Sequence, residues 1–456
     1  MLKRNTKMNL IEGPIFSSII KYAFPIYLMG LLQNLMVAAD SAVLGNMADS
    51  TAIASVGATS VIINLMVASI IAIAEGVKLV VGRAIGSKNF DRCRQVISTA
   101  MIAAVGVGTV VAAAGLLVAK DILFLVNCPA ECMDDAALYL RIYFCSVPII
   151  LIYNFGAAIV MVSGDSSKPM KYMLISGIVN VCLNIVLCLV LENKVLAVAI
   201  ATVAGNALSA ALVLKDLTAL GDGYSLDIKH LSFSKREFWL ILRLGIPFTV
   251  ASLTFSLSNV QIQAELNRLG ASAIAGNVAA GYIELAAASC IVNAFSGALN
   301  AFLSQNIGAE RHDRVGRSLR ASFICSMTAV VISCAVALVF ARQLISLFVP
   351  DDIAALDYGA LRNKFILAAY PLRVVASTSS TVVAVLGYGY ISTVNTLITV
   401  LLYRIIYMSF IYPLNPGVVS LYMTYVTSWT LETVFIAIAF IILYSRYKKG
   451  KYNKSF

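Results

Sequence analysis

"IGSKNFDR" at residues 85–92 returns as "IGAERHDR" at residues 307–314, an interval of 222 in a chain of 456 residues. Two further landmarks keep that interval. "KYAFPIYL" at 21–28 and "RLGIPFTV" at 243–250 set Pro25 and Pro247 222 apart, and Pro148 and Pro371 are 223 apart. Chance does not hold one spacing across three landmarks, so the chain is read as two halves of like topology. The N-terminal lobe is placed at 1–217, a linker at 218–237 and the C-terminal lobe at 238–456.

The solvent of these halves follows from composition. Hydrophobic residues make up 60% of the chain and charged residues only 12%, which no soluble domain matches. A membrane-spanning helix needs about 20 mostly apolar residues, and twelve such runs recur between short polar breaks. They lie near 15–45, 51–80, 95–118, 138–163, 169–191, 195–217, 238–266, 271–302, 318–340, 363–386, 391–413 and 417–444. The longest breaks, 218–236 and 341–362, have the size of loops. The expectation is an all-α integral membrane protein of twelve transmembrane helices, in two pseudo-symmetric six-helix bundles related by an axis along the membrane normal. Halves of this kind enclose a site that opens to each side in turn, as in secondary transporters. No Walker-type phosphate loop occurs.

Most of the 34 Lys and Arg residues fall in alternate breaks. One side collects Lys3, Arg4, Lys7 and Lys21, then the groups around Arg83–Arg94, Lys168/Lys171, Lys215–Arg243, Arg311–Arg320 and Arg446–Lys454. The other has Lys120, Arg141, Lys194, Arg268, Arg342, Arg362 and Lys364. The positive-inside rule puts the first side, and both termini, in the cytoplasm of a multi-pass cell-membrane protein. The net charge of +11 follows from this bias and calls for no nucleic-acid partner, only weak attraction to anionic lipid. Nine scattered cysteines are no disulfide framework, although Cys128 and Cys132 in "NCPAEC" are close enough in sequence to bridge. The only histidines, His230 and His312, fall in cytoplasmic loops, which excludes a buried His relay or a His-rich metal site.

Several stretches together resemble the multidrug and toxic compound extrusion (MATE) transporters. These are the proline-marked first helix leading into "AADSAVLGNMADSTAIASVGATS", the loop "VGRAIGSKNFDRCR", its echo "SQNIGAERHDR", and "GIVNVCLNIVLCLVLENKVLAVAIATVAG" across helices 5 and 6. The resemblance spans essentially all twelve helices. It implies a secondary antiporter that exports cationic, amphipathic compounds in exchange for Na+ or H+, with no other cofactor. It also implies an acid near the outer part of helix 1 and a polar set on helices 5 and 6. The matching positions are Asp40, Asn180, Asn184 and Thr202. Where the helix 5 pattern commonly ends in Asp, this chain has Asn184.

Physical reading of the same residues is compatible. Asp40 lies 19 residues beyond Lys21, roughly 28 Å along a helix, in the outer third of the bilayer. It is either an interfacial acid paired with Arg141 or an acid facing the lobe interior. In the second case its charge needs a partner, which H+, Na+ or a cationic drug can supply only in competition. Asn180 and Asn184 are one turn apart and share a face. With Thr202 they offer uncharged oxygens that suit Na+ as a hard cation; otherwise they hydrogen-bond between helices. In the C-terminal half Glu284, Arg373, Arg404 and Glu432 fall well inside helices 8, 10, 11 and 12. Mutual ion pairing is the plain expectation, and release of Glu284 or Glu432 to meet a cationic substrate the sharper one. Gln261, Asn277, Tyr282 and Asn293, with Arg373, are candidates to line a substrate cavity, Tyr by holding a cation over its ring. Glu75 and Lys78, three apart on helix 2, read as a local ion pair.

Two other transporter classes compete. A flippase for lipid-linked oligosaccharides would need a broad cationic cavity, and a major-facilitator-type transporter also has parallel halves and a loop that "GRAIGSKNFDR" resembles. An intramembrane enzyme would need a metal cluster or an activated nucleophile, and the helices carry no such pattern. The expected partners are small organic cations and membrane lipids, and the expected state is a monomer.

Overall fold

A computed structural model describes residues 7–221 and 224–450, all of whose regular elements are helical. Lys3, Arg4, Lys451 and Lys454, counted above on the cytoplasmic side, lie outside the described residues. The chain forms two compact units. One is built around Leu28–Gly245, the other around Ile246–Ile307 and the chain from Arg311 onward, together with Leu10–Tyr27. Helix α1 (Ile15–Met47) therefore divides just past Pro25, and α8 (Lys235–Arg268) divides just before Pro247. Proline lacks an N–H and crowds the carbonyl four residues back, so both helices change packing partners where their backbone ladder is already interrupted.

In the first unit α2 (Ser50–Gly86) and α3 (Phe90–Leu125) are followed by α4 (Met133–Cys145), α5 (Val147–Val162), α6 (Ser167–Val190) and α7 (Lys194–Thr218). The fourth run of the sequence, expected as one helix over 138–163, is instead the pair α4 and α5, bent by 45° at Ser146. Pro148 is the physical reason, because it cannot donate to the carbonyl of Phe144. Helix α5 packs against α2, α3 and α7 and is buried continuously from Phe155 to Val162. A helix apolar on every side belongs in the interior. By contrast Leu117, Leu125, Leu189 and Val190 are all more than 70% exposed, which suits a face toward lipid.

In the second unit α9 (Ala271–Glu284) passes through a π-turn at Leu285–Ser289 into α10 (Cys290–Gly308). Then come α11 (His312–Val339), the short α12 (Ala341–Ser346) and α13 (Ile353–Val383), which packs against α9, α11 and α16 (Val418–Lys448). Between α13 and α16 lie α14 (Gly389–Thr396) and α15 (Tyr403–Ile406), joined by π-turns. The break expected at 341–362 is thus mostly helical, since α12 and the first turns of α13 fill it.

Ten segments among the described residues are long and apolar enough to cross a membrane, and eleven if the bent pair α4 and α5 counts as one more. One of the ten, Ile353–Leu414, runs for 62 residues, about three times the ~20 that one crossing needs. Gly387 breaks it with φ of +90°, a conformation that costs any other residue. Among the described residues the twelve runs of the sequence therefore fall in ten segments, one of them long enough to hold two runs and broken at Gly387, and one bent pair.

The repeated loop is repeated in its backbone. Lys88 and Glu310 stand at equivalent places in "IGSKNFDR" and "IGAERHDR", and both adopt positive φ, 55° and 56°. The closing arginines have matching tasks. Arg92 donates through Nε and Nη2 to both carboxylate oxygens of Glu237, at 3.0 and 3.2 Å, in the first turn of α8. Arg314 donates to the carbonyl of Gly13 at 3.1 Å, just ahead of α1. Each copy of the loop thereby ties down the start of one proline-marked helix. Cys128 and Cys132 are free thiols, and Glu75 and Lys78 do pair along α2.

Candidate functional site

Two helices bring three of the four expected polar residues of the first unit together. Asn184 on α6 donates through Nδ2 to Asp40 Oδ1 on α1 at 2.6 Å, and more weakly to Asn180 Oδ1 at 3.4 Å. Asn184 is fully buried, Asn180 nearly so, and Asp40 half-buried. No ion pair joins Asp40 to Arg141 among the described residues, so a neutral amide and not a guanidinium faces the acid. Thr202 on α7 does not reach Asp40 directly. Its hydroxyl donates to the carbonyl of Val198 at 2.9 Å and lies against the hydroxyl of Tyr139.

Tyr139 and Tyr143, four residues apart on α4, both stand within electrostatic reach of Asp40, with ring centroids 6.4 Å apart. Sequence reasoning passed over them. Aromatic residues one turn apart on an apolar helix give the same signal as core, and only their convergence on α1 and α7 distinguishes them. One turn beyond Asp40 and Asn184, Leu44 and Cys188 enter an apolar cluster with Ala52, Val195 and Val198, which closes that end of the site. Gly205 on α7 lets α6 approach closely: a methyl there would sit 3.0 Å from Asn180 Cβ and 3.2 Å from the carbonyl of Ser176.

The donor set suits a hard monovalent cation. Asp40 and Asn180 Oδ1 present oxygens here, and Asn184 Oδ1 is buried with no partner among the described residues. Half a turn of that amide would exchange its donor for this oxygen, so the same residue can bond the bare carboxylate or join a cation's coordination. No group of three or more His, Cys, Asp or Glu residues is spaced to hold a metal ion among the described residues.

The second unit collects charge. Glu284 accepts from Arg362 Nη2 at 2.6 Å and from the Tyr370 hydroxyl at 2.8 Å, and Glu432 accepts from Arg373 at 2.5 Å. Arg373 also lies over the rings of Phe255 and Trp429, 4.6 and 5.4 Å from their centroids. The charge set expected from sequence thus gains a third base. Arg362, assigned above to the outer loops, is 8% exposed because α13 begins at Ile353 and carries it two turns into the bundle. Arg404 is fully buried and bonded only to neutral groups. The other cavity candidates are not drawn together. Tyr282 stacks on Phe348 at 5.4 Å, Gln261 and Asn293 are exposed on α8 and α10, and Asn277 is half-buried on α9.

Comparison with known proteins identifies the family and the fold. The MatE family model matches residues 25–186 and again 247–410, so its two copies begin at Pro25 and Pro247. The chain is 25% identical over 349 residues to the probable multidrug resistance protein YoeA of Bacillus subtilis, covering 74% of each. It is 23% identical over 370 residues to the probable multidrug resistance protein YpnP of the same organism, covering 79% of this chain and 80% of that one. Its fold superposes with a TM-score of 0.86 on an outward-facing multidrug resistance MATE family transporter of the MOP superfamily, at 17% identity, over 98% of this chain and all of that one. A family model that matches both repeats, on a fold of membrane-spanning helices divided at the same two prolines, establishes that this chain belongs to the MatE family.

Proposed function

We propose that the chain is a secondary antiporter that exports cationic, amphipathic compounds in exchange for Na+ or H+ by alternating access. It would lie in the cell membrane with both termini cytoplasmic and work as a monomer among lipids. The observation that supports this reading best is the hydrogen bond from Asn184 to Asp40, a neutral partner on a lone acid. Such an acid can take a proton or a cation without first breaking an ion pair. The exchange also has a mechanical consequence. A cation on Asp40 competes with the Asn184 donor, so site occupancy is coupled to the link between α1 and α6. Filling the site from outside favours the state that expels substrate, and ion release inward readies the protein for the next cargo. Pro25 is the place where α1 can bend in that cycle.

Organic-cation efflux from proteoliposomes, driven separately by inward Na+ and inward H+ gradients, tests this for wild type and Asp40→Asn. One gradient should drive wild-type export, and the variant should fall to the leak of empty vesicles. Undiminished coupled export by the variant would overturn the role of Asp40. The flippase reading would need a broad basic cavity for anionic headgroups. Arg404, the one guanidinium of the network bonded only to neutral groups, is instead enclosed.

A further inference from the structure

We infer that the arginine network of the second unit binds a small monovalent anion, chloride in the cell, against Arg404. The charge balance requires a partner. Arg362, Arg373 and Arg404 contribute three guanidinium groups and Glu284 and Glu432 two carboxylates, each already bonded to one arginine. Guanidinium keeps its proton in proteins, so one positive charge is left over. It resides on Arg404, the largest fully buried side chain among the described residues.

The partners of Arg404 are all neutral. Nε donates to Ser428 Oγ at 3.2 Å, and Nη1 to Ser258 Oγ at 3.0 Å and Asn259 Oδ1 at 2.7 Å. The guanidinium carbon lies 4.5 Å from the Tyr425 ring centroid, and that ring is 6.0 Å from the ring of Trp429. Nη2 has no partner among the described residues. Trp429 Nε1 and Arg362 Nε and Nη1 are likewise buried with no partner among the described residues. A surplus cation with an unbonded N–H calls for an acceptor with negative charge. An uncompensated charge at membrane depth is expensive, and a bound anion removes that cost where neutral hydroxyls do not. The enclosure of Arg404 limits the occupant to a small ion. Asn259, which is exposed, accepts from the guanidinium, so the network reaches the surface there.

The test reads binding without transport, so its result is independent of the antiport proposal. Trp239 and Trp429 are the only two tryptophans, so Trp239→Phe leaves Trp429 as a reporter near the site. Bromide is titrated into this purified variant against gluconate at constant ionic strength. Saturable quenching, reversed by chloride, is expected. Asn259→Asp places a fixed carboxylate beside the Arg404 guanidinium and should abolish the saturable component. It should also raise the Tm measured in gluconate to at least the parent's Tm in chloride. If that variant does not fold, Arg404→Gln should show the same loss of saturation. Quenching that is linear in bromide with no competition by chloride would overturn the inference, as would saturation unchanged by these substitutions.

Discussion

The two candidate polar clusters hold their acids in opposite ways. In the first unit Asp40 accepts from the Asn184 amide, whereas in the second Glu284 and Glu432 are bound to Arg362 and Arg373. A carboxylate facing an amide can trade its partner for a proton or a cation at small cost. A carboxylate facing a buried guanidinium cannot, because its loss strands the other charge in low dielectric. Under the proposed function the first arrangement serves as a switch and the second as a scaffold, although both would read as a buried acid in a list of residues.

The largest expected effect tests the scaffold side. Glu432→Gln or Glu284→Gln should lower stability by about 3–5 kcal/mol, the cost of leaving one arginine unpaired. Asp40→Asn removes an acid whose partner is already neutral, so no charge is stranded, and it should stay within about 1 kcal/mol of wild type while coupling is lost. Thermal unfolding in detergent compares them directly. Equal losses for Asp40→Asn and Glu432→Gln would erase the distinction between the units.

The next effect sharpens the switch. Asn184→Asp sets a second carboxyl at hydrogen-bond distance from Asp40, and two carboxyls so close share a proton. Export by this variant should gain drive from an H+ gradient relative to a Na+ gradient, measured as the ratio of the two initial rates in one vesicle preparation. An unchanged ratio would mean that the residue at 184 does not set ion preference. Tyr139→Phe is milder. Removing the hydroxyl beside Thr202 deletes a bond worth about 1 kcal/mol, roughly a fivefold rise in the ion concentration for half-maximal export.

These contrasts were partly readable in the sequence. The loops at 85–92 and 307–314 were visible because each must reverse direction through a positive φ at Lys88 and Glu310 and end in an arginine that grips the start of a long helix. Such needs are local and leave a local pattern. Asp40, Asn180 and Asn184 were readable as polar residues in apolar runs, since any such residue must find a partner. Which partner was not readable, and only the placement of α6 beside α1 decided between Asn184 and Arg141. Arg362 was missed because hydropathy marks where apolar residues begin, near 363, while the helix begins ten residues earlier at Ile353. The bend at Ser146 is a similar case. Pro148 announced an interruption, but its 45° angle depends on what α4 and α5 each pack against.

The smallest expected effect comes from Gly205→Ala, where two terms oppose each other. Alanine stabilises a helix interior over glycine by about 0.5–1 kcal/mol, because the unfolded chain loses freedom. Against this, the new methyl would stand 3.0 Å from Asn180 Cβ and 3.2 Å from the Ser176 carbonyl, so α6 must yield by a few tenths of an ångström. The two nearly cancel in stability, and Tm should barely move. They do not cancel at the site, because the displaced residue is Asn180, whose oxygen faces the Asn184 amide. Ion affinity should therefore fall by roughly twofold, or about 0.4 kcal/mol, at unchanged stability. A large drop in Tm would instead show that α6 and α7 are held too rigidly to yield, and the first unit would then be as much a scaffold as the second.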